Sequence, residues 1–208
     1  ATTVKCRWAY TCNAILNFYA CSSLTNIVIP ESVTNIDDYA FEGCSGLTSI
    51  EIPESVTSIG DYAFKNCSGV LNITIPDSVT RIDGNIFIGC TSLSSVIVDK
   101  NNTVYDSRND CNAIIEKSKN LLLTGCLNTI IPDSVTSIGN KAFSGCSGLT
   151  SIEIPESVTN IGEYAFSNCS SLTNIEIPDS VTYISSNVFS GCNSLVSISL
   201  PFIGECLK

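Results

Sequence analysis

Apolar and polar residues alternate along this chain in a pattern that starts afresh every 23 residues. Counted from Cys21, Cys44, Cys67, Cys90, Cys146, Cys169 or Cys192, position three is Leu or Val, from Leu24 to Leu195. Positions six and eight are Ile, Val or Leu, as in Ile27 and Ile29, Ile50 and Ile52, or Ile175 and Ile177. Positions four, five and seven between them are mostly Thr, Ser, Asn or Glu. Alternation of this kind predicts a short strand with one buried and one solvent face. Proline follows at 30, 53, 76, 155, 178 and 201, and without an N–H to donate it ends the strand. The second half of each unit holds Val33, Val56, Val79, Val135, Val158 or Val181, an isoleucine three residues on, and phenylalanine at 41, 64, 87, 143, 166 or 189. Gly or Asn then precedes the next unit. Both types tolerate left-handed backbone, so "DYAFEG" is expected to form a short helical turn closed by that residue.

A fixed period of this length marks a solenoid, because each unit has an apolar flank that only a neighbouring unit can bury. The repeats are predicted to start at 21, 44, 67, 90, 123, 146, 169 and 192. They form one solenoid over 21–201, preceded by an N-terminal cap at 1–20 and followed by a C-terminal end at 202–208. The units from Cys44 and from Cys146 differ at only three places over 23 residues: Ser58/Asn160, Asp61/Glu163 and Lys65/Ser167. The unit 90–122 is ten residues longer than the others. Its "CNAIIEKSKNLLLTG" has two apolar runs around a polar turn, which predicts a β-hairpin, expected as an excursion from one side. Cys126 then falls in the leucine column of the next unit. Eight strands at ~4.8 Å spacing predict a parallel sheet roughly 35–40 Å long.

These columns resemble the BspA-like leucine-rich repeats, whose pattern is close to C-x-x-L-x-x-I-x-I-P-x-x-V-x-x-I-G-x-x-A-F-x-x, over residues 21–201. The resemblance implies a right-handed solenoid with its parallel sheet on the concave face and helical turns on the other side. It further implies an extracellular or cell-surface protein that recognises protein or glycoprotein ligands, matrix proteins among them, in an adhesive role. Two departures stand out. Asp37, Asp83 and Ser185 replace the pattern's glycine, and the 90–122 unit lacks Ala-Phe. The alternative expectation is a structural scaffold, in which copies of the chain associate through the solenoid ends.

Composition narrows the chemistry. The chain has 20 acidic and 10 basic residues, a net charge of −10, and no histidine. A Ser–His–Asp or Cys–His centre cannot be built, and no enzyme activity, cofactor or metal is expected. The negative charge disfavours nucleic acid, and without an apolar run of about 18 residues no membrane insertion is expected. The chain also begins without a charged-then-apolar leader. The column cysteines are expected as reduced, buried thiols packing like small apolar residues, since parallel Cβ vectors suit disulfides poorly. Outside the column, Cys6–Cys12 has the spacing to clip the cap and Cys111–Cys126 to clip the hairpin, while Cys206 stands apart. The acids after proline, such as Glu31, Glu54, Asp133 and Glu156, would stack into a carboxylate stripe. Such a stripe would attract calcium, but a solvated turn is the simpler expectation. Asn-x-Ser/Thr occurs at Asn66, Asn72, Asn101 and Asn168.

The strand face carries the candidate binding site. Leu71, Ile97, Leu127 and Ile130 stand at positions that the pattern keeps polar. They are expected to form one apolar patch, with Glu51, Glu153 and Glu176 at its flanks. The competing expectation is that the hairpin, or distorted strand geometry around 123–132, covers them.

Overall fold

The computed structural model describes the backbone of residues 3–5 and the chain from 18 to 200. Cys6, Cys12 and Cys206 lie outside the described residues. The chain winds through stacked coils, each contributing short strands. β1 (Thr3–Lys5) precedes the first coil, which holds β2 (Asn26–Val28) and β3 (Asn35–Ile36). The second holds β4 (Ser58–Ile59), and the third β5 (Asn72–Ile75) and β6 (Arg81–Ile82). The enlarged fourth holds β7 (Ser95–Val98), β8 (Tyr105–Asp106) and β9 (Ala113–Glu116). β10 (Leu121–Gly125) leads into the fifth, with β11 (Ser137–Ile138). The last three coils hold β12 (Asn160–Ile161), then β13 (Asn174–Glu176) and β14 (Tyr183–Ile184), then β15 (Ser197–Ser199).

Inside the stack, the predicted columns are buried. Leu47, Val56, Ile59, Val158, Ile161 and Leu172 are fully enclosed. Phe18, Phe41, Phe64 and Phe87 stack in one ladder with ring centroids 5.5, 5.4 and 5.7 Å apart. Phe143, Phe166 and Phe189 form a second ladder, at 5.1 and 5.8 Å. Serine after the acid donates to the previous coil, as in Ser55 Oγ to the Val33 carbonyl and Ser157 Oγ to that of Val135, both 2.7 Å.

Three expectations need correction. The segments around phenylalanine are not helical turns, and the only helix among the described residues is a short 3-10 turn at Arg108–Asp110. Alternate N–H groups there point along the stack: Tyr39 donates to Asp61, Phe41 to Ala63 and Gly43 to Lys65. The groups between them close turns within the coil, as Ala40 does on Asp37. A helix would direct every N–H within its own coil, so cross-coil bonding wins. It requires left-handed backbone before the phenylalanine as well as after it, at Tyr39, Tyr62 and Tyr164 with φ between 55° and 58°. Such a residue costs roughly 1–2 kcal/mol, which the added inter-coil bonds offset.

The second correction concerns the sheet. No single eight-stranded parallel sheet runs along the face that holds positions four to eight. β5–β7 and β13–β15 are separate parallel pairs, and the second coil touches β2 only through a Val28↔Glu51 bridge.

The third is the hairpin. It is not an excursion. β9 and β10 pair antiparallel and lie inside a six-stranded sheet of order β14-β12-β11-β10-β9-β8. β9 is a shared wall between two cores: Ile114 packs into the N-terminal core, while Ala113 and Ile115 pack into the C-terminal one. All three are fully buried. Two side chains of the enlarged coil replace the continuation of the β3–β4–β6 ladder, whereas β7 still pairs with β5. Asn102, in the valine column, donates to the Pro76 and Val79 carbonyls at 2.8 Å each. Its Oδ1 accepts the N–H groups of Val104 and Tyr105 at 2.9 and 2.8 Å. Tyr105, in the isoleucine column, accepts the Ile82 N–H on its hydroxyl at 2.9 Å.

On the phenylalanine side the third coil meets the fifth directly. Gly89 N–H donates to the Ser144 carbonyl at 3.2 Å. A Cβ on Gly145, whose φ is +79°, would lie 2.7 Å from the Gly89 nitrogen. Gly125 leaves room for the Phe143 ring, whose Cε1 would be only 2.2 Å from a Cβ there. Asn85 bridges the seam, donating to the Lys141 carbonyl and accepting from Thr124 Oγ1.

Candidate functional site

Of the four apolar residues proposed for the strand face, three are open to solvent: Leu71 is 51% exposed, Ile97 50% and Ile130 71%. Leu71 immediately precedes β5 and its carbonyl accepts the Ser94 N–H at 2.9 Å, while Ile97 lies on β7 opposite Thr74, three residues further along. Ile130 lies beyond a break in the stack, because the hairpin's first residues wedge between the fourth and fifth coils. The Ile130 N–H donates to the Cys111 carbonyl at 3.1 Å, where a regular stack would offer the fourth coil's strand. Thr129 Oγ1 bonds the Asn112 carbonyl at 2.7 Å in the same wedge. Leu127 is half-buried and packs on the C-terminal core beside Gly148. The structure therefore leaves Leu71 and Ile97 open on neighbouring coils, three positions apart along the strand direction, sets Ile130 across a polar wedge, and turns Leu127 inward.

The three glutamates lie beside two grooves that flank this centre. One, of about 420 Å³, runs over the first two coils and is lined by Val28, Glu31, Glu51 and Pro53, among others. The other, of about 700 Å³, runs over coils five to seven and is lined by Asp133, Glu153, Glu156, Glu176, Pro155 and Pro178, among others. Each groove has an apolar floor of isoleucine and proline and a rim of carboxylates, with no basic residue in its lining. Sequence reasoning missed the grooves and Val28, which is 52% exposed in the column of Ile97. The signal was present, since Val28 breaks the polar rule at position seven.

The carboxylates after proline crowd one another along the stack. Desolvation, followed by a hydrogen bond and repulsion from Asp77, raises the Glu54 carboxyl above its ordinary range. Such crowding favours a basic partner. Among the described residues, no group of three or more His, Cys, Asp or Glu side chains could hold a metal ion.

The buried ladder cysteines offer no nucleophile. All nine described cysteines are free, Cys111 and Cys126 included. Cys44, Cys67, Cys90, Cys169 and Cys192 each donate the thiol to the phenylalanine carbonyl 26 residues earlier, as Cys67 does to Phe41 at 3.0 Å and Cys169 to Phe143 at 3.2 Å. Burial pushes the Cys44 thiol up to about 11 and those of Cys67 and Cys146 up to about 12. They remain neutral at physiological pH, and only a thiolate attacks. No helix among the described residues is long and apolar enough to cross a membrane.

A family model described as BspA type leucine rich repeat region matches residues 16–118 and 123–204, in 6 copies. Among solved structures, a leucine rich cell surface protein from Faecalibacterium prausnitzii A2-165 is similar at 27% identity and a TM-score of 0.65, covering 88% of this chain and 67% of that one. A leucine-rich repeat protein from Eubacterium ventriosum is similar in fold at 24% identity and a TM-score of 0.57, covering 88% and 68%. The pneumococcal vaccine antigen PcpA shares the fold at 23% identity and a TM-score of 0.66, covering 85% of this chain but 50% of its own. The chain thus spans about two thirds of the first two and half of the third. No curated protein matches it.

Proposed function

The chain belongs to the BspA-type leucine-rich-repeat family, and from that premise we propose that it is a non-enzymatic recognition module displayed outside the cell, binding protein or glycoprotein through its strand face. The observation that carries this reading is the exposure of Leu71 and Ile97 on neighbouring coils between two acid-rimmed grooves. Isolated exposed apolar residues are ordinary, but two on adjacent coils, flanked by apolar floors and charged rims, have the anatomy of an interface. The cell-surface description of the Faecalibacterium relative supports the location. Adhesion to a matrix protein is the role we assign. Apolar anchors at the centre supply affinity, and the carboxylate rims select a basic partner and speed its approach.

The test is capture of immobilised extracellular-matrix proteins by the purified chain, beside Leu71→Asp and Ile97→Asp. Both side chains are exposed, so the fold survives either change. Each variant is expected to lose at least tenfold in affinity, and added salt to weaken the parent. Undiminished capture by both variants removes the patch from the site. Glu51, Glu153 and Glu176, changed to Gln one at a time, should each lower the salt dependence without abolishing binding.

A further inference from the structure

The groove over coils five to seven is open because the strand segment of the sixth coil is not joined to its neighbours. No described strand covers 151–154, and the main chain there exchanges hydrogen bonds with no described residue. On one side the Ile130 N–H turns to the Cys111 carbonyl, and on the other β13 pairs with β15. The Thr173 N–H reaches back to the Thr150 carbonyl at 3.3 Å, and the ladder stops there. Ile152 is left half-buried, whereas Ile73 and Ile175 in the same column are 2% and 4% exposed. Charge around the opening is one-sided. Asp133, Glu153, Glu156 and Glu176 line it, against Glu31 and Glu51 in the other groove. Residues 120–200 hold six acidic side chains and one basic one, Lys141, whose ammonium donates to the Tyr62 hydroxyl instead. Among the described residues, these carboxylates do not converge on a point that could hold a metal ion.

We propose that this groove is the anchoring subsite for an arginine-bearing, extended segment of the partner protein. The inference rests on the recognition reading and deepens it by naming what enters the groove. Carboxylates spread along a rim, too far apart for one metal ion, suit a cation whose charge is itself spread out. A guanidinium is planar, delocalised and weakly hydrated, and its five donors can serve two carboxylates at once. Its aliphatic stem lies on the floor of Ile152, Ile154, Pro155 and Pro178 while the head stays at the rim. An ammonium is a compact, strongly hydrated charge and gains less from an apolar floor. The N–H and C=O groups of 152–154, engaged by neither neighbouring coil, offer bonds to the main chain of an extended segment, as in strand addition. A free polyamine has no carbonyl with which to match them. The groove over the first two coils, with half the carboxylates, is the weaker site.

Nuclear magnetic resonance titration of the full chain with hexa-arginine, hexa-lysine, spermidine and calcium chloride, at matched ionic strength, tests this. Hexa-arginine should shift the amides of 152–156 and Glu176 first, and those around Glu31 and Glu51 only at higher concentration. It should bind about fivefold tighter than hexa-lysine or spermidine, the scale of one good ion pair. Glu153→Gln and Glu176→Gln alter exposed side chains, so the fold survives. Each should weaken hexa-arginine by about threefold. Asp37→Asn, the same loss of charge outside the groove, should leave its affinity unchanged. Equal affinity for all three polycations overturns the proposal, as does an equal loss in Asp37→Asn or a first response outside the groove. Saturation of the same amides by calcium also overturns it and assigns a metal site. Leu71→Asp should lose matrix capture and keep hexa-arginine, so failure of either reading is seen separately.

Discussion

The coils from Cys44 and from Cys146 share all but three of 23 residues, and they take up the same shape in different halves of the molecule. Each sets its phenylalanine in a ladder, buries its cysteine, and holds its position-seven glutamate beside a groove. They diverge at the rim. Lys65 reaches back to Glu42 at 2.7 Å, whereas Ser167 is buried against Ser144, hydroxyl to hydroxyl, at 2.8 Å. The difference lies in the preceding coil as much as in the coil itself: a repeat's shape is set locally, while its edge chemistry must match its neighbour's. The enlarged coil between the halves shows the cost of losing that match. It has no phenylalanine turn, and Asn102, Tyr105 and β9 take over the bonds and apolar contacts that a regular coil would have made.

The severest way to break the comparison is to make the enlarged coil look regular. Asn102→Val restores the repeat's own residue, yet it strips the Val79 carbonyl and two N–H groups of their side-chain partner and leaves the Pro76 carbonyl with the Val79 N–H alone. A loss of about 4 kcal/mol or more is expected in chemical denaturation, whereas Val56 and Val158 occupy the same column with no such demand. Next come Ile114→Ala and Ile115→Ala, each costing about 3 kcal/mol. Because these neighbours face different cores, hydrogen exchange should show Ile114→Ala loosening the coils before the seam and Ile115→Ala those after it. Equal loss of protection in both halves would mean that the cores melt as one.

The thiols give a smaller, pH-dependent effect common to both halves. Burial holds them protonated in the folded state up to about pH 11 for Cys44 and about 12 for Cys67 and Cys146, from an ordinary value of 9.0. Above pH 9 the unfolded chain therefore releases protons that the folded chain keeps. Stability is full below that point and declines as pH rises toward 11–12, by at most about 1.4 kcal/mol per unit for each fully buried thiol. Cys67→Ala and Cys169→Ala should each flatten the decline in a denaturant series at alkaline pH. The smallest effect is Lys65→Ser, which imports the later coil's residue into the earlier one. It loses a partly exposed ion pair worth less than about 1 kcal/mol. The reverse exchange, Ser167→Lys, buries an ammonium beside Ser144 with no carboxylate partner and should cost clearly more in thermal unfolding.

The sequence by itself determined the 23-residue period, the buried columns and the ladder cysteines as packed thiols. Each follows from residue type and spacing within one coil, and stacking simply repeats it. The position of the hairpin was also legible, from two apolar runs around a polar turn. Only the tertiary structure decided that the hairpin becomes a wall within the stack, because its alternation reads the same whether one face or both are buried. It likewise decided that Leu127 turns inward while Leu71 and Ile97 stay open, and that two acid-rimmed grooves flank them. Those outcomes depend on which coil lies beside which. At the seam the third and fifth coils touch across an insertion whose path no single repeat encodes.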